Sequence, residues 1–467
     1  MARDLTRGNP FKSMLLFSLP ILVGNIFQQL YNMADTIIVG NTVSSDAMSG
    51  VGCTGAVSFL VLGLVWGLTA GFAVRTSQMY GAKDYSGMRK SVAVSLELCV
   101  AMTVLLTASA VPLTGPLLRM MNTPVQYFDY AYFYLITIFG GIGATILYNI
   151  AASTLRAVGD SRTPLIFLIF SAILNVGLDF VCIVFLRMSY TGAGVATIAS
   201  QFISGAASLL YMFKAYPELK PRKADWIPDF KMIQGHISLG LPMALQFSIT
   251  AIGCIFQQSA LNSLNDSMPG VVTAYTAATK IDNIASQTFV ALGTALATYA
   301  GQNYGAKEYG RIKDGVFAGM VYSVVSWFLG MAFCIGLSKP LTAMFLNKDI
   351  GEAALYYDDM LAYSKEFLVY QSVFYLALGI IFVYRNALQG IGRSALTMIA
   401  GVTELAGRSV TAFIFVKYIG YTGVCLSNPV AWVAADLFLL AAYYGIMRKL
   451  GGKRTLSLRT LFHRAGQ

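Results

Sequence analysis

Two carboxylates in the first half of the chain, Asp35 and Asp179, stand in stretches that are otherwise apolar. An ionisable group in such a stretch costs several kcal/mol unless it is paired or hydrated, so each demands a reason. Asp35 lies about four residues before the end of the first apolar run, and Asp179 lies eight before Arg187, at the end of the fifth. At ~1.5 Å per helical residue the two acids share one layer. Asn175 stands one helical turn before Asp179, on the same face. Thr197 falls about a turn and a half into the sixth run, at the same depth. Two carboxylates, an amide and a hydroxyl at one level make an oxygen-rich site for a proton or a sodium ion at Asp35 and Asp179. Two carboxylates held close share a proton more readily than both ionise. The blander alternative is that each group merely satisfies a backbone or packing bond.

Pro20 precedes Asp35 in the same apolar run. Proline removes a backbone hydrogen bond and permits a kink, so this run pairs a hinge with an acid. The second half carries a different set of charges: Lys280 and Asp282, then Glu366, then Glu404 and Arg408, then Asp436. Glu404 and Arg408 have i,i+4 spacing and are expected to pair along their own helix. The sharper alternative puts Lys280 beside an acid in a water-filled cleft. No further metal site is expected, because the six cysteines are scattered singly and the two histidines, His236 and His463, fall in polar flanks. There is no GxxxxGK[ST] loop, so the chain is not expected to hydrolyse ATP itself.

Membrane helices must position these groups. Hydrophobic residues make up 56% of the sequence and charged residues 12%, about half the usual charge of a soluble domain. Twelve apolar spans are expected, at roughly 13–39, 51–74, 91–113, 127–152, 164–186, 192–213, 238–261, 270–299, 315–337, 361–384, 396–417 and 422–446. The fold class is therefore all-α and polytopic. Ser77-Gln-Met-Tyr-Gly-Ala-Lys-Asp-Tyr85 recurs as Gly301-Gln-Asn-Tyr-Gly-Ala-Lys-Glu-Tyr309, after the second and the eighth span. Leu19-Pro20 answers Leu241-Pro242, and Leu155-Arg-Ala-Val-Gly159 answers Leu388-Gln-Gly-Ile-Gly392. Each half has an even number of spans, so the halves are parallel repeats. This divides the chain into an N-lobe (1–213), a linker (214–237) and a C-lobe with a basic tail (238–467). Of the Lys and Arg residues, 25 fall on the side of the termini and five on the other, which places both termini in the cytoplasm. The net charge of +11 is thereby a topology signal, and no nucleic-acid partner is expected.

The paired turns, the helix 1 stretch Gln28-Gln-Leu-Tyr-Asn-Met-Ala-Asp-Thr36 and Asn175-Val-Gly-Leu-Asp179 resemble the multidrug and toxic compound extrusion family, in its bacterial DNA-damage-inducible branch. The resemblance covers about Pro10 to Lys449. It implies a V-shaped, two-lobed antiporter of the bacterial cytoplasmic membrane that exports organic cations or toxic metabolites for protons or sodium. It also implies that Asp35, Asn175, Asp179 and Thr197 hold the coupling ion and that helix 1 bends about Pro20. Another branch couples through a helix 7 glutamate; span 238–261 has no acid. The expected partners are a small cationic amphipathic substrate and the lipid bilayer, with no cofactor, and the chain is expected to act as a monomer. The first alternative is a flippase for lipid-linked oligosaccharides, which needs a cationic cavity of the kind Lys280 and Arg408 suggest. A membrane-embedded transferase is the remote one, since Asp358-Asp359 is the only adjacent acid pair considered for magnesium and has no third partner.

The charge asymmetry sets a test of topology. With the native cysteines replaced, an impermeant maleimide applied to intact cells should label Asn265→Cys and spare Glu218→Cys. The reverse pattern would overturn the orientation.

Overall fold

The computed structural model describes residues 3–42, 50, 54–121, 123–186, 188–346 and 353–454, with side chains at all of these except 31–42, 56, 184, 189, 190, 353 and 354. Its helices are α1 (Pro10–Thr42), α2 (Gly55–Gly81), α3 (Tyr85–Met120), α4 (Val125–Gly140 and Ile142–Ala157), α5 (Arg162–Asp179) and α6 (Ser189–Ala215) in the first half. The second half has α7 (Phe230–Asn262), α8 (Val271–Gly305), α9 (Tyr309–Gly336), α10 (Ala353–Val373 and Tyr375–Gly390), α11 (Ser394–Val410) and α12 (Tyr421–Cys425 and Ser427–Leu450). No strand occurs among the described residues. Among the described residues nine helices are long and apolar enough to cross a membrane, and the bent pairs of α4 and α10 raise this to 11. The twelfth, α8, has 35 residues, ample for a span, but Lys280, Asp282 and several Thr and Asn side chains dilute its apolar character.

The spans expected to be continuous at 127–152 and 361–384 are both broken. The pieces of α4 are bent by 52° and those of α10 by 47°. The breaks are themselves repeated: Gly141 and Phe374 are 233 residues apart, as are Leu155 and Leu388. Each break frees a carbonyl that lipid cannot satisfy. Thr107 of α3 donates to the Phe139 carbonyl at 3.3 Å, and the Trp327 indole of α9 donates to the Val373 carbonyl at 3.0 Å. The helices that follow share a second irregularity. α5 passes into a π-helical segment at Phe180–Phe185, and α11 does so at Thr411–Phe415.

The chain divides into two compact units. The first contains Met1–Thr6, Leu19–Ser248 and Gly301–Lys307; the second contains Arg7–Ser18, Ile249–Ala300 and Glu308–Gln467. The matched helices α1 and α7 therefore each contribute to both, α1 changing unit between Ser18 and Leu19, just before Pro20. The early turns of α7 join the first unit through small residues on α2. Gly63, Gly67 and Gly71 recur every four residues, and a Cβ at Gly67 or Gly71 would overlap the backbone of Ala244 or Gly240. Such a stripe lets two backbones approach where lipid offers no hydrophobic drive between helices. In the second unit Phe11 packs edge-on to Phe317 at 6.1 Å, and the Tyr322 hydroxyl donates to the Phe11 carbonyl at 3.1 Å. His236, expected in a polar flank, is instead fully buried within α7, its Nε2 3.0 Å from Ser91 Oγ.

Both copies of the repeated turn belong to the first unit, where they pack against one another. A Cβ on Gly81 would overlap the Gln302 carbonyl, and one on Gly305 would overlap the Gln78 carbonyl. The contact is reciprocal, as a two-fold relation between like turns requires. Each turn closes through a residue of positive φ, Lys83 at 57° and Lys307 at 61°. Gln302 buttresses the contact, accepting from the Leu5 amide at 2.9 Å and donating to the Ala157 carbonyl at 2.9 Å.

Gly81→Ala and Gly305→Ala should each destabilise the protein by about 1–3 kcal/mol, since the obstacle is backbone and cannot rotate away. Lys83→Gly should instead be neutral or stabilising by up to about 1 kcal/mol, because glycine relieves the left-handed strain. Thermal melting of the purified protein checks both signs; unchanged melting for both alanine variants would contradict the backbone contact.

Candidate functional site

On α5, Ser171, Asn175 and Asp179 follow one another at intervals of four, forming one buried face. Asp179 is 0% exposed and Asn175 1%. The Asn175 amide nitrogen donates to Thr197 Oγ1 of α6 at 3.3 Å. Asn175 Oδ1 receives no hydrogen bond from any described residue, which leaves an acceptor oxygen beside the acid. Asp179 is the last residue of α5 before the π segment, in which the Leu186 amide reaches back five residues to the Val181 carbonyl at 2.9 Å. π segments inside α-helices widen the coil and concentrate at functional sites. Three of the four expected ion-site residues are thus described, and the direct bond joins Asn175 to Thr197. The side chain of Asp35 lies outside the described residues; its backbone belongs to α1.

Thr197 and Ser171 also line a cavity of about 330 Å³ within the first unit. Its polar wall includes Gln28 of α1, Ser58 of α2, Asn149 of α4 and Gln201 of α6, and its aromatic wall has Trp66, Tyr134 and Tyr148. The Thr145 hydroxyl donates to Gln201 Oε1 at 2.6 Å, and the Asn149 amide to the Thr145 carbonyl at 2.8 Å. No Lys, Arg, Asp or Glu is among the lining residues. The bend in α4 shapes this space. Gly141, at the bend, lies so close to Ile198 of α6 that a Cβ would overlap its side chain. Gln28 lines the cavity, and Asp35 follows it by seven residues, two turns along the same helix.

In the second unit the expected i,i+4 pair of Glu404 and Arg408 is present, and a second cation joins it from another helix. Glu404 is hydrogen-bonded in an ion pair with Arg385 of α10, and Arg408 Nη2 lies 3.8 Å from its other oxygen. Arg385 lies one residue past the expected span 361–384; α10 runs on to Gly390 and buries it. Arg408 Nε also donates to Asn428 Oδ1 at 3.2 Å, and the Asn428 amide donates to Gln371 Oε1 at 3.2 Å. Lys280 stands apart from this cluster, its ammonium 5.3 Å from the Phe345 ring centroid and its side chain exposed. Asp282 accepts from the Tyr375 hydroxyl at 2.7 Å and Glu366 from the Thr422 hydroxyl at 2.7 Å. Asp436 is 6% exposed, and its Oδ1 has no partner among the described residues. Gln257, which answers Asp35 in the repeat, donates to the Val424 carbonyl at 3.3 Å.

Sequence reasoning missed Arg385, Gln371 and Asn428, and the amides that line the first-unit cavity. The signal for Arg385 was its place in the turn before Leu388, which belongs to the repeated motif at the helix end. An amide gives no comparable signal, because its cost in an apolar run is smaller and its partners are often local.

Comparison with known proteins places this arrangement in a family. The MatE family profile matches residues 20–181 and 242–413, one segment in each half of the repeat. The probable multidrug resistance protein YpnP of Bacillus subtilis is 31% identical over 398 residues, covering 85% of each chain. The probable multidrug resistance protein NorM of Thermotoga maritima is 26% identical over 469 residues, covering 98% of this chain and 92% of its own. Among solved structures, a MOP superfamily transporter from Pyrococcus furiosus superposes with a TM-score of 0.87 over 96% of this chain and 98% of its own, at 22% identity, a likeness of fold. With twelve helices in two matched halves and the family profile on both, the chain belongs to the MATE family of multi-pass membrane transporters.

Proposed function

We propose that this transporter is a secondary antiporter that exports organic cations or toxic metabolites across the cytoplasmic membrane in exchange for protons or sodium. The carrying observation is the buried Asp179 on one face with Asn175, which is bonded to Thr197 at the wall of a polar, aromatic cavity. Asp35, two turns beyond Gln28 on α1, is assigned as the second carboxylate of the ion site. The cavity suits a cationic amphipath, because Trp66, Tyr134 and Tyr148 offer π faces and no fixed cation opposes it.

Coupling follows from charge. With no ion bound, the acid pair is anionic and favours the state that accepts a cation. Protonation or sodium binding removes that charge and lets α1 relax about Pro20, which disfavours the substrate. The bias required is modest, since about 1.4 kcal/mol of differential binding changes affinity tenfold. The flippase reading needs several free cations for a pyrophosphate, whereas Arg385 and Arg408 are both engaged by Glu404, which leaves Lys280 alone of the cations considered.

Glu404 is accordingly assigned a structural role. Glu404→Gln leaves two buried guanidinium groups without their counter-charge, a loss of about 3–5 kcal/mol for a broken buried pair. Lower expression and a lower melting temperature are expected, with substrate affinity retained in the purified protein. Normal melting with lost substrate binding would move Glu404 into the substrate site. Lys280→Met should favour cationic substrates if Lys280 faces the transport path.

The coupling assignment is tested with reconstituted protein and a fluorescent cation, under separately imposed pH and sodium gradients. Asp35→Asn and Asp179→Asn should each abolish gradient-driven efflux while leaving melting unchanged, and the double variant should be no worse than either single one. Strictly additive losses, or export against a gradient by Asp35→Asn, would put coupling elsewhere, first among Asp282, Glu366 and Asp436.

A further inference from the structure

The second unit contains a separate cavity of about 510 Å³, bounded by α9, α10, α12 and the residues just after α12. Lys313 of α9, Arg448 in the last turn of α12 and Arg454 beyond it all line this space, and no carboxylate is among the lining residues. The polar wall also contains Tyr384, Tyr443 and Tyr444. Tyr443 is only 3% exposed, yet its hydroxyl has no hydrogen-bond partner among the described residues. A buried donor without a partner costs about 1–3 kcal/mol unless something else accepts from it. The remaining wall, Val316, Phe317, Met320 and Met447, is apolar.

The chain after α12 is folded onto this site. Gly451 and Gly452 both take φ of 77°, which turns the backbone back toward α9. Lys313 Nζ donates to the Gly452 carbonyl at 2.6 Å, and the Arg454 guanidinium sits 4.5 Å from the Phe317 ring centroid. Lys313 is four residues into α9, and Arg448 is two residues from the end of α12, so the cavity lies where the spans leave the apolar layer. Tyrosines beside cations at that level mark a headgroup region.

We propose that this cavity binds the headgroup of an anionic phospholipid, with the phosphate facing Lys313, Arg448 and Arg454. Three cations without an acid select an anion, and Tyr443, whose hydroxyl is enclosed in the wall, lines the same space. The volume admits a headgroup and excludes two acyl chains, which would lie along the apolar wall and leave toward the bilayer. Basic pockets between transmembrane helices recognise anionic headgroups by this chemistry. Inorganic phosphate shares the charge but makes no use of Phe317, Met320 or Met447, which favours the lipid as the occupant. Bound lipid would also hold residues 451–454 against α9.

The test uses the purified full-length protein, with native mass spectrometry and thermal melting after addition of phosphatidylglycerol, phosphatidylcholine or inorganic phosphate. Phosphatidylglycerol should remain bound and raise the melting temperature, and phosphatidylcholine should do neither. R448Q combined with R454Q should weaken phosphatidylglycerol binding about tenfold or more, and Tyr443→Phe, which keeps the ring, should weaken it less. Undiminished binding by both variants, or equal retention of phosphatidylcholine, would overturn the site. The same stabilisation by inorganic phosphate alone, lost in R448Q/R454Q, would overturn the lipid assignment in favour of a soluble anion.

Discussion

Two polar turns, written at an interval of 224 residues, meet backbone to backbone within one unit of this protein. That contact is the tightest constraint on its architecture. Gly81 and Gly305 each lie where a single carbon atom would overlap the opposite turn's carbonyl. The turns in turn require left-handed residues at Lys83 and Lys307, because only a sharp reversal lets two long apolar helices follow one another at the membrane edge. Gln302 then ties the contact to the start of the chain and to the end of α4. A motif that reads as a simple repeat is therefore also an interface between its own copies.

The second organising constraint is that a lipid-embedded chain must satisfy every backbone and charged group internally. The broken helices obey it. α4 and α10 each release a carbonyl at the break, and in each case the helix before supplies a donor, Thr107 or Trp327. The charges are handled differently in the two halves. In the first unit Asp179 is fully buried on a face with Asn175, and the adjoining cavity has no ionisable Asp, Glu, Lys or Arg among its described lining residues. In the second unit Arg385 and Arg408 share Glu404, and Gln257 stands where the first repeat has Asp35. The two halves share one helical frame; the acid–amide face and the arginine–glutamate cluster are where they differ within it.

Irregular helices join frame to chemistry. α5 becomes π-helical immediately after Asp179, and α11 does so three residues after Arg408. Both segments lie where a charged or polar face must be offset from the regular 3.6-residue spacing. The bend of α4 against Ile198 similarly opens the space lined by Thr197 and Gln201. Pro20, just beyond the point where α1 passes from one unit's contacts to the other's, is the corresponding feature in the helix that carries Asp35.

The all-helical frame, its repeat and the closeness of Asn175 to Thr197 were legible in the residues alone. Hydropathy fixes a span because lipid thickness sets its length, and a costly acid in an apolar run announces itself. The breaks at Gly141 and Phe374 were not legible, because their cost is met by donors on other helices, over thirty residues away in the chain. Arg385 was misplaced for a related reason: a cation near a helix end reads as a loop residue until its partner, Glu404 on the next helix, is brought against it. The cavities lay beyond sequence reading altogether, since Gln28, Asn149 and Gln201 become one wall only when three helices pack. Sequence determines which groups are too costly to leave unexplained; tertiary structure decides which neighbours meet that cost, because partners in a bundle are adjacent in space and distant along the chain.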